Sequence, residues 1–371
     1  MKYYLIAGEA SGDIHGANLM KALLSLDPAA EFRFWGGDRM ALIGGTQVMH
    51  YRDTAYMGFA EVIRNLPTIL NNLKFCEQDI KHFAPDALVL IDYPGFNMRI
   101  AKWAKKQSLP AKIIYYISPQ IWAWKAGRAK ILKRTIDEML VILPFEPAFY
   151  ATYDFPVQYV GHPLLDHLTS VSHGQTLKEK YELDGRPLIA LLPGSRRQEV
   201  IKHLAVMLSV VPSFPAYEFV VAAVSTLPEE TYQLAREKGI KIIVDDTSLV
   251  LSHSQAALVA SGTATLETAL LGVPQVVCYR GGWLNYLLAK NLIQVKYISL
   301  VNLILDRPLV KELIQNDLNT KELELELRNI LSDAGSRQLL TGYEELKKKL
   351  GGGGASNRAA NLIFNLLPPG R

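Results

Sequence analysis

Asp92 closes the apolar run Ala87-Leu88-Val89-Leu90-Ile91 and opens Tyr93-Pro94-Gly95-Phe96-Asn97. A carboxylate at the end of a buried strand can act as a general base, taking a proton from an acceptor hydroxyl as that oxygen attacks a sugar carbon. Asx-type capping ahead of Pro94 is the competing reading. Other segments have the chemistry of an anion site. Tyr3 to Ala7 runs into Gly8-Glu9-Ala10-Ser11-Gly12-Asp13, and Ala256 to Ala260 runs into Ser261-Gly262-Thr263. A strand, a small-residue turn and a helix start present unpaired amides at the positive end of a helix dipole, which suits a phosphate. Ser11, Gly12 and Asp13 are candidates in the first turn, although Ser11 and Asp13 would also serve as simple helix caps. Leu192-Pro193-Gly194-Ser195-Arg196-Arg197-Gln198-Glu199 has the same form, with Ser195 able to cap. Arg196 and Arg197 in a first helical turn oppose the dipole, so an anion such as a diphosphate, or else Glu199, should compensate them. Glu267, within the helix that Ser261, Gly262 and Thr263 open, can accept ribose hydroxyls or remain a surface acid.

Neither G-x-G-x-x-G nor a Gly-Lys-Ser/Thr loop is present, which weakens dinucleotide and P-loop readings. No Asp-x-Asp pair or histidine cluster offers a hard-metal site, and the neighbouring Asp245 and Asp246 diverge. No metal and no cofactor are therefore expected. A diphosphate leaving group would be stabilised by arginine and helix dipoles.

These side chains need two domains to hold them. The chain has 371 residues, 49% hydrophobic and 20% charged, as expected of large folded cores. A net charge of +4 gives no case for nucleic acid. Cys76 and Cys278 lie in apolar stretches and read as buried, reduced thiols of a cytosolic protein. No apolar run approaches the length of a membrane span, so any membrane contact is peripheral.

Short apolar runs alternate with helical patterns. Strands are expected at 3–7, 31–35, 87–91, 112–117, 138–143 and 157–160, with helices near 17–26, 67–83, 97–106 and 126–133. The rhythm lapses over 161–185 and resumes with strands at 188–192, 218–224, 241–244, 256–260 and 275–279. After Val310 the pattern is mostly charged helix. The expected fold is α/β, with two doubly wound Rossmann-like domains at 1–165 and 186–350 facing a central cleft. A last helix at 355–366, beyond the hinge-like Gly351–Gly354 run, packs on the first domain or on another subunit, which leaves a homodimer open.

Two motifs stay divided. Met57, Phe59, Val62, Leu66 and Ile69 belong to a helical apolar stripe flanked by Arg52, Arg64 and Lys74. The stripe is either core or a membrane-dipping, acyl-contacting lip. Ser118-Pro119-Gln120-Ile121-Trp122-Ala123-Trp124-Lys125 follows a strand, and its rings either stack on sugar, line an acyl slot, enter the core or make a subunit contact.

Together, in this order, Ala7–Asp13, Gly36-Gly37, Met57–Val62, the Asp92/Pro94/Phe96-Asn97 pattern, Ser118–Trp124, Tyr159–Leu164, Leu192–Arg196, Ser261–Glu267 and Lys296–Asn302 resemble the lipid-A-disaccharide synthase family nearly end to end. The resemblance implies a GT-B glycosyltransferase that moves 2,3-diacylglucosamine from its UDP-linked form to 2,3-diacylglucosamine 1-phosphate, with inversion and release of UDP. It implies no metal and a cytoplasmic enzyme peripherally bound to the inner membrane. It places Asp92 on the catalytic-acid motif, and Ser11, Arg196, Asn302, Glu312 and Gln315 on or near UDP positions. Gly95 stands where some members carry a second acid, so that acid has no part here. The rival readings are another UDP-N-acetylglucosamine enzyme, such as the peptidoglycan glycosyltransferase or a 2-epimerase, and a non-catalytic nucleotide-sugar-binding protein.

Overall fold

Runs that are apolar at every position, such as Ala87–Ile91, suit a strand covered on both faces, and here they form the centres of two parallel sheets. A computed structural model describes residues 1–53, 66–168, 177–281 and 296–368. Met57, Phe59 and Val62 lie outside the described residues. The chain divides into two compact units, Met1–Asp166 with Gly353–Arg371, and His167–Gly352.

The first unit holds β1 (Lys2–Ala7), β2 (Glu31–Gly36), β3 (Thr46–His50), β4 (Ala87–Ile91), β5 (Lys112–Tyr116), β6 (Glu138–Val141) and β7 (Gln158–Tyr159), in the order β3-β2-β1-β4-β5-β6-β7. The second holds β8 (Leu188–Leu192), β9 (Glu218–Ala223), β10 (Lys241–Val244), β11 (Ser254–Ala260), β12 (Gln275–Tyr279) and β13 (Lys311–Ile314), in the order β10-β9-β8-β11-β12-β13. Every pairing is parallel. In each sheet the strand order reverses beside the first strand, between β1 and β4 and between β8 and β11. Connections there leave in opposite directions, and a crevice opens beyond the carboxyl ends of those strands.

Two strands depart from the sequence expectation. β3 was not anticipated, and β13 replaces the start of the charged helical region after Val310. Both are edge strands: no residue of β3 is fully buried, and only Leu313 of β13 is. Without burial on two faces neither needs an apolar run, so neither has the signal of a central strand. The helix expected from 97 begins instead at Pro94, because proline's fixed φ suits a first helical position.

The apolar stripe divides as well. In the helix Leu66–Phe83, Leu73, Cys76 and Ile80 are buried, while Leu66, Leu70 and Phe75 are exposed. Ile69, expected to contact acyl chains or membrane, packs against the core. Both cysteines are buried free thiols. Among the described residues no helix is long and apolar enough to cross a membrane.

The helix Ala355–Leu366 packs against the helix Ala10–Leu26 and against β5, and it buries Ala355, Ala359, Ala360 and Ile363. Its first amides are capped from elsewhere in the chain: Gly354 N and Ala355 N donate to Asp166 Oδ1, at 2.5 and 3.3 Å, and Ser356 N donates to Asp166 Oδ2 at 3.1 Å. Arg358 Nε donates to Val160 O at 2.8 Å.

Candidate functional site

In the first unit the turn after β1 and the turn after β4 meet where the strand order reverses. Gly8 is required there: a Cβ would lie 2.3 Å from the Tyr93 ring. Asp92 and Tyr93 both hold left-handed backbone, with φ of 44° and 46°, a conformation that costs energy in non-glycine residues and persists where the surroundings enforce it. The enforcement is visible. Asp92 N donates to Tyr116 O at 3.1 Å. The Asp92 carbonyl accepts from Asn97 Nδ2 at 2.9 Å and from the Tyr115 hydroxyl at 2.5 Å. Buried Asn97 also donates to Ile6 O and Ile91 O, tying the ends of β1 and β4 together. The Asp92 carboxylate itself accepts from the Tyr93 backbone, which offsets part of the cost of its charge. Burial, and then the neighbouring Glu9 carboxylate, push that group from 3.8 up to about 7. A carboxylate so placed is half-protonated near neutrality and is a stronger base than an ordinary aspartate.

The candidates in the Gly8 turn separate. Ser11 is exposed in the first turn of the helix Ala10–Leu26, whose start has no side-chain cap, and Gly12 is buried beneath it. Asp13 is not available to a ligand. It is buried, and Oδ1 accepts from Gly37 N at 2.7 Å and Met40 N at 3.1 Å while Oδ2 accepts from Arg39 N at 3.0 Å. Asp13 caps the helix Asp38–Ile43 instead of its own, because the small residues Gly36 and Gly37 bring that chain against it.

In the second unit the corresponding reversal lies between β8 and β11. Past β8, Gly194 turns the chain with φ 115°, and Ser195, Arg196 and Arg197 are exposed. Ser195 does not cap: the residue before the helix Arg197–Ser209 is Arg196, in extended backbone and without a side-chain cap bond. The start of that helix therefore stays open. Arg196 reaches Glu199 Oε1 at 3.2 Å, so both compensations foreseen for the arginine pair remain accessible to it. Past β11, Gly262 has φ 154° with open space where a Cβ would be, and Thr263 begins the helix Thr263–Leu270. Ser261 Oγ donates to Ile298 O at 2.8 Å, and Glu267 Oε1 accepts from Ser248 Oγ at 2.6 Å.

Asn302 and Glu312 are brought together, but their polar atoms are engaged with protein. Asn302 Nδ2 donates to Val310 O and Glu312 Oε1, each at 2.9 Å, and its Oδ1 accepts from Val310 N at 2.9 Å. Glu312 further accepts from Ile298 N and Ser299 N. The pair braces the segment that the Ser261 hydroxyl grips, so it acts on the turn through that segment. Gln315 sits at the carboxyl end of β13 with φ 55°, its N donating to Tyr279 O at 2.8 Å.

His203 was missed by the sequence reading. Buried in the helix Arg197–Ser209, its Nδ1 lies 2.8 Å from Pro193 O and its Nε2 accepts from Arg280 N at 2.8 Å. The first contact requires Nδ1–H and the second an unprotonated Nε2, so the ring is neutral. Burial lowers its pKa, consistent with that tautomer. His203 thus joins the loop after β8 to the residue that follows β12. A lone histidine on the buried face of an amphipathic helix carries no motif, and only the fold identifies its partners.

The aromatic segment after β5 also separates. Trp122 is buried and donates through Nε1 to Glu146 Oε1 at 3.3 Å, whereas Trp124 is 48% exposed.

A family model described as Lipid-A-disaccharide synthetase matches residues 3–363. The chain is 37% identical to the lipid-A-disaccharide synthase of Geobacter sulfurreducens over 98% of this chain and 96% of that protein. It is likewise 37% identical to that of Coxiella burnetii, with 98% of each covered. Among solved structures, the UDP-GlcNAc 2-epimerase of Neisseria meningitidis bound to UDP-GlcNAc matches with a TM-score of 0.70 at 14% identity, covering 98% of this chain and 100% of that one. At that identity the likeness shows the fold, two Rossmann-like domains of the GT-B class. The sequence relationship shows more: the chain belongs to the lipid-A-disaccharide synthase family, and it is a glycosyltransferase.

Proposed function

We propose that the chain transfers 2,3-diacylglucosamine from its UDP-linked donor to the 6-hydroxyl of 2,3-diacylglucosamine 1-phosphate, giving the β-1',6-linked disaccharide 1-phosphate and UDP. The observation that carries this reading is Asp92: a carboxylate raised to about 7, held by a saturated backbone at the reversal of the first sheet. As the acceptor O6 attacks the donor anomeric carbon, Asp92 takes the hydroxyl proton. The new C–O bond forms opposite the breaking bond to the diphosphate, so the configuration inverts. UDP departs with the bonding electrons, and Asp92 later gives its proton to solvent.

The second unit holds the donor in this proposal. Arg196 and Arg197 pair with the diphosphate oxygens, and the open amides at Thr263 add the positive end of a helix. Glu267 has an oxygen beyond the one that Ser248 uses and is suited to a ribose hydroxyl. Ser11 and Gly12 line the acceptor side. Exposed Leu66, Leu70 and Phe75 support a peripheral contact with the cytoplasmic face of the inner membrane.

The test supplies both diacylated substrates and detects a disaccharide 1-phosphate by mass. D92N should lose at least about a thousandfold in turnover with UDP affinity unchanged. Turnover in D92N within tenfold of wild type would remove Asp92 from this role. UDP-N-acetylglucosamine turned over as fast as the diacylated donor would point to a different enzyme of the same fold.

A further inference from the structure

We propose that Lys125 and Arg128, with the exposed face of Trp124, form the seat for the phosphomonoester of the sugar acceptor. The inference rests on the reading of Asp92 as the group that receives the acceptor hydroxyl, and it adds what holds the C1 phosphate of that sugar.

The segment is built from below. β5 delivers Ser118-Pro119-Gln120 to the carboxyl edge of the sheet, and the short helix Ile121–Trp124 follows. Trp122 anchors that helix downward through Glu146, which also accepts from Ile142 N at 3.1 Å and Leu143 N at 2.8 Å. With one indole fixed in the core, the other is turned out. Lys125 Nζ lies 4.0 Å from the Trp124 ring centroid, and Arg128 Cζ lies 5.8 Å from it. Two cations therefore share one exposed aromatic ring, and among the described residues neither makes an ion pair with a carboxylate. Their mutual repulsion is real: partial burial, and then the Arg128 charge, hold the Lys125 ammonium below its usual range. A dianion placed between them relieves that repulsion and makes charge-assisted hydrogen bonds with both. The indole face meanwhile suits the apolar face of a sugar ring.

The position fits the reaction. The Tyr115 hydroxyl donates to the Asp92 carbonyl. Burial, and then Asp92, push this phenol well above its ordinary range, with Arg128 acting in the opposite direction. β4 and β5 pair in parallel with Ile91 beside Tyr116, and Asp92 N donates to Tyr116 O, so the segment that follows β5 leaves the sheet next to the Asp92 turn. An acceptor with its 6-hydroxyl at Asp92 carries its C1 substituent on the carbon across the ring oxygen from C5, and the two cations of this segment suit an anion there while the indole suits the ring. Phospholipid headgroups present the same phosphate chemistry, so the experiment separates the two sources.

Binding of 2,3-diacylglucosamine 1-phosphate and of 2,3-diacylglucosamine, both in detergent micelles, is measured by calorimetry for the full chain and for K125A/R128A. Wild type should prefer the phosphorylated sugar by tenfold or more. The double variant should hold the unphosphorylated sugar as well as wild type does and lose the preference to within twofold. A preference that survives in the variant overturns the proposal, as does an equal loss for both sugars or no preference in wild type. Lys125 is exposed, so K125E tests the charge with the packing intact and should weaken only the phosphorylated ligand, by threefold or more. In a second arm, both proteins are floated on phosphatidylglycerol vesicles. Equal flotation supports the acceptor seat, and a variant that stops floating assigns the cations to the membrane and overturns it. Failure of the broader reading has a different signature, the absence of disaccharide from wild type, and these binding measurements do not depend on turnover.

Discussion

In the proposed role of general base Asp92 must be charged to accept a proton, yet burial and Glu9 both oppose that charge and hold its pKa at about 7. Activity should therefore rise about tenfold per pH unit below 7 and level off above it, read as kcat/KM against pH. E9Q removes the like charge, so the acid limb should move to lower pH; a limb that stays in place would show that Glu9 does not act on this carboxylate. The same shift has a consequence for stability. The folded-state value lies above the unfolded value near 3.8, so the folded chain binds the extra proton between them. Stability is fullest below about pH 4 and falls as pH rises through about 7. D92N keeps the side-chain shape, tolerates left-handed backbone and has no charge to bury. It should be more stable than wild type at pH 8, by about 1–2 kcal/mol after allowance for solvent screening, and equal to it near pH 4. Thermal melts at the two pH values check this. A stabilised, inactive variant is what a residue strained for function predicts.

At the scale of elements, the candidate residues of each unit sit on the turns at its own strand-order reversal, and the elements differed in how far the sequence revealed them. Central strands announce themselves because burial on two faces demands unbroken apolar runs. That is why β1, β4, β8 and β11, and the Gly8, Asp92, Pro193–Arg196 and Ser261–Thr263 turns behind them, were legible. β3 and β13 were not, since an edge strand is free to be polar. Side-chain destinations were harder still. Nothing local separates an Asp13 that caps its own helix from one that caps Asp38–Ile43, or tells that Asn302 and Glu312 brace residues 298 and 299. His203 belongs to the same class, with contacts at residues 193 and 280. Its loss tests the element. H203A leaves Pro193 O and Arg280 N without their partner, at about 1–3 kcal/mol for each buried group left unpaired. The loop with Arg196 should then loosen, raising the KM for the UDP donor severalfold while the KM for the acceptor stays within twofold. Equal effects on both substrates would make His203 a general packing residue. G8A probes the other reversal: with a Cβ at 2.3 Å from Tyr93, either that ring or the β1 turn must move. A loss of activity of at least about a hundredfold, with about 1–3 kcal/mol of stability, is expected by kinetics and denaturant titration.

Over the whole molecule, the chain's last helix belongs to its first unit, and the division falls within the glycine run, after Gly352. Gly351 and Gly354 both use positive φ, 75° and 89°, which lets two helices end and begin in quick succession with little steric cost. The return is specified at three levels. Asp166 receives the open amides at residues 354–356, Arg358 finds Val160 O, and alanines at 355, 359 and 360 are buried in the helix that packs against Ala10–Leu26 and β5. That helix follows the Gly8 turn, so the packing supports the scaffold of the proposed acceptor site from behind. I363A removes a fully buried side chain from the last helix and should cost about 2–4 kcal/mol; D166A should cost about 0.5–2 kcal/mol through the lost cap. The informative measurement is where the cost falls. Hydrogen exchange in either variant should quicken at β1 and the Ala10–Leu26 helix, and leave β8, β11 and the Thr263–Leu270 helix at wild-type rates. UDP binding should persist, and turnover should fall with the protection of the first unit. Uniform loss of protection across both sheets would mean that the two units unfold as one, and the last helix would then be a clamp on the entire chain instead of a part of its first sheet.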